Sequence, residues 1–240
     1  MALDSMREIL GKMEAQGLPF WEVVLREDME ERQVTRGQSM AKMHATWKAM
    51  VEAAASYDNQ RRSVSGLVGG DGGKMHQYAQ SGQAMTGGYI SQVITEALSM
   101  AESNACMCRI VAAPTAGACG VLPAVLLPLF HGGQVEQHQI LEALYVSAGI
   151  GSVIAYKACI AGASGGCQAE IGTASAMAAG ALVALRGGTG KQIGHAVAMA
   201  LKNLMGLVCD PVAGLVEVPC VKRNVIGAVN AVSAADMALA

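Results

Sequence analysis

The chain has 240 residues, of which 52% are hydrophobic and only 4% aromatic, and its formal net charge is −2. This near balance excludes the strongly basic surface of a nucleic-acid-binding protein and gives no indication of a charged membrane surface as a partner. The 29 glycines and the few aromatic side chains predict a core of closely packed helices filled mainly by small residues.

Residues 1–60 are predicted to form three amphipathic helices. Ser5 followed by Glu8 is typical of a capping box at the start of the first helix. The triplet Gly17-Leu18-Pro19 is predicted to end that helix and begin the second. In the third, apolar residues recur at steps of three and four between residues 40 and 54, which is the helical period.

Residues 61–74 are predicted to form a glycine-rich loop. Four glycines stand at positions 69, 70, 72 and 73, but Val68 and Met75 replace the residues that a phosphate-binding P-loop requires. The backbone N–H groups of such a loop can bind a carboxylate or a phosphate. A flexible linker is the alternative interpretation.

The rest of the chain is also predicted to be helical, without a β-alternation longer than four residues. The expected helices cover residues 89–112, 121–130, 135–160, 168–185, 190–208 and 222–240. We expect the intervening loops at 61–74, 113–120, 162–168 and 209–221 to converge on one site. The predicted fold class is a compact all-α domain over residues 1–240, with N-terminal helices in 1–60 and the functional core in 61–240.

A membrane location is not expected. The longest uncharged run, residues 110–130, contains Pro114, Pro123 and Pro128, which favour a broken, buried helix over a lipid-facing span. The N-terminus shows no basic segment followed by an apolar one, and the cysteines number seven, an odd count. Both observations predict reduced thiols and a cytoplasmic protein.

Three cysteines lie near glycine or proline, where helices are expected to begin or end. Cys167, Cys209 and Cys220 are separated by 42 and 11 positions, which matches neither a zinc finger nor a CxxC redox pair. One interpretation is an open site with three thiolates; a structural zinc site would need a fourth ligand, for which His195 is a candidate. The other is three inert core cysteines, with His195 a buried core histidine among alanine and valine.

An iron–sulfur cubane fits the first interpretation. Three thiolates would leave one iron open, and that iron can act as a Lewis acid on a substrate oxygen. Spacing alone does not decide between this cluster and inert thiols.

Several segments resemble one family. They are the run from Pro114 to Ala124, the run from Gly165 to Glu170, the Cys-Asp-Pro-Val-Ala-Gly-Leu-Val-Glu-Val-Pro-Cys segment within 207–224, and the closing Ala234 to Ala240. Together they resemble the α subunit of bacterial iron–sulfur L-serine dehydratases. The resemblance covers nearly the whole chain and is strongest beyond residue 100.

The resemblance implies deamination of L-serine to pyruvate and ammonia without pyridoxal phosphate, as a step in amino-acid degradation. It implies a 4Fe–4S cluster bound by Cys167, Cys209 and Cys220, with the open iron on serine's hydroxyl or carboxylate. It also implies an all-α catalytic unit paired with a β domain. Because this chain lacks the β domain that some members carry on the same chain, a separate β subunit is expected. The end at Ala240 is earlier than expected for the family, so tail residues that could shape the site are expected to be missing.

Further roles are assigned as expectations. The donors expected to hold the serine carboxylate lie in two loops, and they are Ser65, Gly66, Gly69, Gly70, Thr115, Ala116 and Gly117. Lys222 and Arg223 are candidates for positive charge at the site, or else ion-paired surface residues. The base that removes the α-proton is not identified; His76 and His195 are the candidates in this chain, and the β subunit is another source.

Two other functions remain open at this point. A pyridoxal-phosphate serine/threonine deaminase would use the Gly162–Gly166 stretch to bind phosphate and a lysine such as Lys157 for a Schiff base, although strands alternating with helices are missing. A non-catalytic helical module, in a membrane or a scaffold, would use its small residues for packing alone.

Overall fold

The computed structural model describes residues 3–215 and 217–240, and this part of the chain is all-α as predicted. A single 3-10 turn, Ala116–Ala118, precedes the sixth helix, and an isolated bridge pairs Val212 with Leu215. The helices are α1 (Met6–Gln16), α2 (Phe20–Arg32), α3 (Arg36–Ala55), α4 (Asp71–Gln80), α5 (Gly88–Ala105), α6 (Val121–His131), α7 (Gln137–Lys157), α8 (Gly162–Gly165), α9 (Cys167–Leu185), α10 (Gly190–Asn203) and α11 (Val218–Leu239).

Helix α9 lies at the centre and packs against α6, α7, α10 and α11. Its side chains are mostly alanine, serine and glycine, and residues 171–183 are all buried. Small residues let the helix axes come close: a Cβ added to Gly180 would lie 2.2 Å from Ile150 Cδ1 of α7, and one on Gly227 of α11 would lie 2.7 Å from Ile171 Cγ2. The predicted close packing through small residues is therefore present.

One hydrophobic core joins side chains from all the long helices, from Leu3 to Ala235. Helix α7 is long and apolar enough to cross a membrane by length and composition, but 61% of its apolar window is buried inside the fold. A core helix passes the same test, so one such helix is weak evidence for a membrane span.

The N-terminal predictions hold with small changes. The three helices within 1–60 form, and Gly17 ends α1 with φ +64°. The Ser5 side chain accepts from Glu8 N, but the Glu8 carboxylate accepts from Asp4 N, so the capping box is only half formed.

The loop predicted at 61–74 is wrong in its last four residues, because α4 begins at Asp71. The buried Glu102 of α5 accepts from the backbone N–H groups of Asp71 at 2.8 Å and Gly72 at 3.2 Å. A carboxylate at a helix N-terminus satisfies free donors and stabilises the helix dipole. This tertiary contact offsets the poor helix propensity of two glycines, so the flexible-linker interpretation is wrong for this segment.

Three other boundaries differ. Helix α5 ends at Ala105 rather than near residue 112, and α10 ends at Asn203 rather than 208. Helix α11 begins at Val218, four residues before its predicted start, so that Cys220 lies in its first turn. The predicted loop after residue 161 instead contains the single turn of α8.

Candidate active site

The three cysteines singled out by the sequence line the same cavity, whose volume is about 310 Å³. It lies between the first turns of α9 and α11, the 3-10 turn before α6, the turn of α8 and the C-terminal end of α5. The lining residues are Ala101, Asn104, Ala105, Gly117, Gly162, Ala163, Cys167, Glu170, Cys209, Cys220, Val221 and Asn224. Three of the four loops that were expected to converge therefore meet here.

Cys167 and Cys220 each lie in the first turn of a helix. Cys167 is the first residue of α9 and Cys220 the third of α11, and they are 3% and 9% exposed. The positive end of a helix dipole favours a thiolate in the first turn. Cys209 lies in the connection between α10 and α11 and is exposed.

Gly166 allows the Cys209 segment to cross the start of α9. Its φ is +75°, and a Cβ there would lie 3.1 Å from Leu207 O and 3.3 Å from Cys209 N. Across this contact, Gln168 N donates to Leu207 O at 2.7 Å. A larger residue at 166 would be strained and would push the Cys209 segment away from Cys167.

Arg223 also holds the Cys209 segment next to Cys167. Its guanidinium donates to Cys167 Sγ at 2.9 Å and to Val208 O at 3.0 Å, and it forms an ion pair with Asp210. The expectation of positive charge near the site is met for this residue, but the charge lies against a cysteine and a carboxylate of the chain itself.

Burial opposes the ionisation of two of the three thiols. Burial raises the pKa of Cys167, although Arg223 acts in the opposite direction. Burial also raises the pKa of Cys220 to about 11, and its cysteine and glutamate neighbours add to the effect. A metal centre bound at these positions would favour the thiolate form of both residues.

Within residues 3–215 and 217–240, no three His, Cys, Asp or Glu side chains are close enough together to hold a single metal ion. A sulfide-bridged cluster is larger than one ion, so its ligands stand farther apart. Three soft thiol donors around one cavity, two of them in helix first turns, fit such a cluster better than a zinc ion, which takes tetrahedral ligands directly.

Glu170, one turn into α9, places its carboxylate in the same cavity. Thr115 Oγ1 donates to Glu170 Oε1. A Cβ added to Gly117 or Gly162 would lie 2.6 or 2.7 Å from Glu170 Oε2. Real Cβ contacts are not this short, so both positions need glycine for the carboxylate to sit where it does.

Asn224 ties the walls of the cavity together. It is 1% exposed, its Oδ1 accepts from Gly120 N at 2.9 Å, and its Nδ2 donates to the carbonyls of Gly117 at 2.7 Å and Cys220 at 2.9 Å. One side chain thus fixes the 3-10 turn relative to the first turn of α11. Both oxygen and nitrogen of the amide are satisfied, as a buried amide requires.

The glycine-rich segment before α4 does not line this cavity. Ser65 donates to Glu217 at 2.5 Å, alongside Ser63 at 2.7 Å, and both hydroxyls are thereby engaged. The glycines at 66, 69 and 70 all have positive φ, and Gly70 caps α4. Their roles as substrate donors stay predictions that no contact in this chain supports.

The remaining predicted residues fall into two groups. Gly117 lines the cavity and Thr115 contacts it through Glu170, whereas the neighbouring Ala116 is exposed and opens the 3-10 turn. Lys222 forms an ion pair with Asp71 of α4 and does not line the cavity.

Neither histidine candidate lines the cavity. His76 is exposed on α4, where it bonds to Gln80. His195 is exposed on α10, so the expectation of a buried core histidine is wrong. Residues adjacent in the sequence point to different sides of a helix. The alanine and valine next to His195 are therefore buried while His195 itself is exposed.

Glu170 and Asn224 line the cavity but were not predicted from the sequence as site residues. Glu170 carried a signal, since it is the one charged residue in the otherwise uncharged helix α9. A lone acid in a helix buried on all sides needs a specific partner. Asn224 carried no comparable signal, because an asparagine in the first half of a helix is compatible with many surface positions.

Larger cavities without a cysteine in their lining lie elsewhere. One of about 680 Å³ lies among α2, α3 and α7, one of about 670 Å³ lies beside α4 and α5, and one of about 480 Å³ lies between α3, α4 and α5. Size alone would select these, but the converging donors at the cysteine cavity are the stronger indication of chemistry.

An all-α fold with three thiols, one carboxylate and two helix N-termini around a single cavity defines a class of protein that can hold a thiolate-bound cluster beside a small polar substrate. The family model for the serine dehydratase alpha chain matches residues 15–240. The chain therefore belongs to the serine dehydratase alpha chain family.

Several relatives support this assignment. The chain is 44% identical to the probable L-serine dehydratase alpha chain of Bacillus subtilis over 91% of this chain and 73% of the relative. It is 40% identical to the L-serine dehydratase alpha chain of Peptoniphilus asaccharolyticus over 99% of this chain and 82% of the relative. It is also 45% identical to the L-serine dehydratase of Mycobacterium tuberculosis over 60% of this chain, which is only 32% of that longer protein.

Proposed function

We propose that this chain is the α subunit of an enzyme that converts L-serine to pyruvate and ammonia, and that its three converging cysteines bind a 4Fe–4S cluster. Family membership supports serine deamination. The cluster is supported by one observation above all: Cys167, Cys209 and Cys220 line the same cavity, although they lie far apart in the sequence.

The chemistry of the proposed cluster is that of a Lewis acid for a substrate oxygen, which makes hydroxide a better leaving group. The chain's own residues prepare the space. Helix dipoles at the starts of α9 and α11 favour negative charge at Cys167 and Cys220. Arg223 holds the Cys209 segment against Cys167, and Asn224 fixes the opposite wall.

We propose that a separate β subunit completes the enzyme. The relatives from Bacillus subtilis and Peptoniphilus asaccharolyticus are each named as an alpha chain, which supports a second, β chain. The β subunit would supply the base for the α-proton if neither His76 nor His195 does so, because both are exposed away from the cavity.

We also propose that residues 1–240 act as one catalytic domain in the cytoplasm. The continuous core supports a single unit. The seven cysteines are all unpaired in the described structure, which suits a reducing compartment. Recovery of active protein in the fraction that sediments with membranes would contradict this location.

A pyridoxal-phosphate enzyme is disfavoured by two contacts. Gly162, in the stretch that would bind phosphate, lies against the carboxylate of Glu170, which repels an anion. Lys157 is exposed at the end of α7, with its ammonium over the Tyr156 ring.

The test is iron and sulfide analysis of the chain co-expressed with its β subunit and purified without air. Wild-type protein should contain both elements and form pyruvate from L-serine. Cys209→Ser should lose both, whereas the matched control Cys159→Ser, an exposed cysteine outside the cavity, should keep them. Full activity in wild-type protein without iron would overturn the proposal.

A further inference from the structure

The carboxylate of Glu170 has a defined position and an unused acceptor. Its Oε1 accepts from Thr115, whereas Oε2 accepts no hydrogen bond from the described residues. The described residues contain no fully buried side-chain N or O atom that lacks a hydrogen-bond partner. Since Oε2 has no partner, part of its surface must be accessible. Because Glu170 lines the cavity, this second oxygen is available to a bound molecule.

No lysine, arginine or histidine among the described residues forms an ion pair with this carboxylate. Every salt bridge within residues 3–215 and 217–240 involves another acid. Among the described residues that line the cavity, Glu170 alone carries a formal charge. A half-buried carboxylate without a cation is unfavourable unless a ligand supplies one.

The surroundings keep the carboxylate in place at some cost in sequence freedom. Gly117 and Gly162 come from separate segments, and each must lack a Cβ for Oε2 to fit between them. Asn224 in turn holds the Gly117 carbonyl. Such support indicates that the direction of this carboxylate matters, beyond the presence of a charge.

We infer that Glu170 binds the ammonium group of the substrate, and that it selects α-amino acids over hydroxy acids of the same length. The inference rests on the proposed function, because serine offers one cation and one anion to the cavity. An ammonium has three donors and pairs strongly with a carboxylate through charge-assisted hydrogen bonds. Glu170 is thus a substrate-binding residue rather than a base.

The experiment compares two unreactive ligands of the co-expressed holoenzyme. L-Alanine keeps the ammonium and carboxylate of serine but has no leaving group. 3-Hydroxypropionate keeps the hydroxyl and carboxylate but has no ammonium. Inhibition constants for both, and KM and kcat for L-serine, are measured for wild type, Glu170→Gln and the control Glu96→Gln, which removes a half-buried acid outside this cavity.

In Glu170→Gln, the KM for serine and the inhibition constant for L-alanine should both rise about 10- to 100-fold, as expected for loss of a hydrogen bond to a charged group. The inhibition constant for 3-hydroxypropionate should not change. Glu96→Gln should match wild type with all three ligands.

Three results would overturn the inference. Equal weakening of both inhibitors in Glu170→Gln would show a purely structural role. A fall in kcat with unchanged KM would show a role in proton transfer. If the variant fails to assemble, wild type is titrated with L-alanine and with propionate, which is L-alanine without its ammonium group. L-alanine must bind at least about tenfold more tightly than propionate, and equal affinities contradict the inference.

Failure of the proposed function is distinguishable from failure of this inference. Wild-type protein without iron, sulfide or pyruvate formation removes the proposed reaction. The dependence of binding on the ammonium group is still measured by calorimetric titration of L-alanine and 3-hydroxypropionate into the same protein.

Discussion

Single residues around the cavity are constrained by contacts that a side chain one carbon larger would break. Gly117 shows this most clearly, because its backbone lies against the Glu170 carboxylate and its carbonyl accepts from Asn224. The glycine is needed for space and not for an unusual backbone angle, since its φ is not positive.

Gly117→Ala should therefore displace the Glu170 carboxylate. We expect kcat/KM for L-serine to fall about 10- to 100-fold, because small misplacements of substrate-positioning groups have effects of that size. The control is Gly194→Ala in α10, where an added Cβ meets no atom within 4 Å. Wild-type kinetics in Gly117→Ala would show that the position of Glu170 does not matter.

Whole helices are positioned by small residues and by a few ion pairs between elements. Gly180 brings α9 against α7, and Lys222 of α11 pairs with Asp71 at the start of α4. The first contact is a steric requirement, and the second is an electrostatic link near the surface. They predict different responses to mutation and to pH.

Gly180→Ala should destabilise the protein by about 1–3 kcal/mol, the usual cost of overpacking a core. The clash is with Ile150 Cδ1, which Ile150→Val removes. The double variant should lose less free energy of unfolding than the sum of the two single variants, as measured by urea denaturation. Strict additivity would show that the two side chains do not compete for the same space.

Asp71→Asn should lower stability at neutral pH and have less effect in acid. Hydrogen bonds from Lys222 and Lys74 lower the pKa of the Asp71 carboxyl. A lowered folded-state pKa adds stability above the unfolded pKa, and that stability is lost as pH falls through the folded value. Because both partners are partly exposed, the effect is small.

Urea midpoints of wild type and Asp71→Asn, measured at about pH 7 and about pH 3, check this prediction. The difference between the two proteins should shrink in acid. Lys74→Ala, which leaves the link to α11 intact, is the control and should cost less than Lys222→Ala. An equal difference at both pH values would contradict the assigned cause.

At the scale of the whole molecule, the cavity joins segments that run from Ala101 to Asn224 along the chain. A group bound to three of these segments in the folded state, and not in the unfolded chain, stabilises the entire fold. The stability of the holoprotein is therefore expected to depend on the proposed cluster.

Removal of iron by a chelator, under anaerobic conditions, should lower the Tm of wild type by several degrees. The Tm of Cys209→Ser should be the same with and without chelator, because that variant is expected to lack the cluster. Differential scanning calorimetry measures both. If the Tm of wild type did not change when iron was removed, the three cysteines would not share a stabilising ligand.

The sequence by itself determined the helical class and most helix positions, and it singled out the three cysteines that line one cavity. These follow from local patterns: the helical period, capping residues, and glycine or proline near each cysteine. The resemblance to iron–sulfur L-serine dehydratases was also readable there, and the family match confirmed the family.

Only the tertiary structure decided which loops reach the site. In the folded chain, Glu102 caps α4 and so allows a helix to begin at two glycines. Ser65 donates to Glu217, and Lys222 forms an ion pair with Asp71. The tertiary structure also brings Glu170 beside Thr115, 55 positions earlier in the chain. These contacts join residues far apart in sequence, and their energies depend on packing and burial that no local pattern encodes.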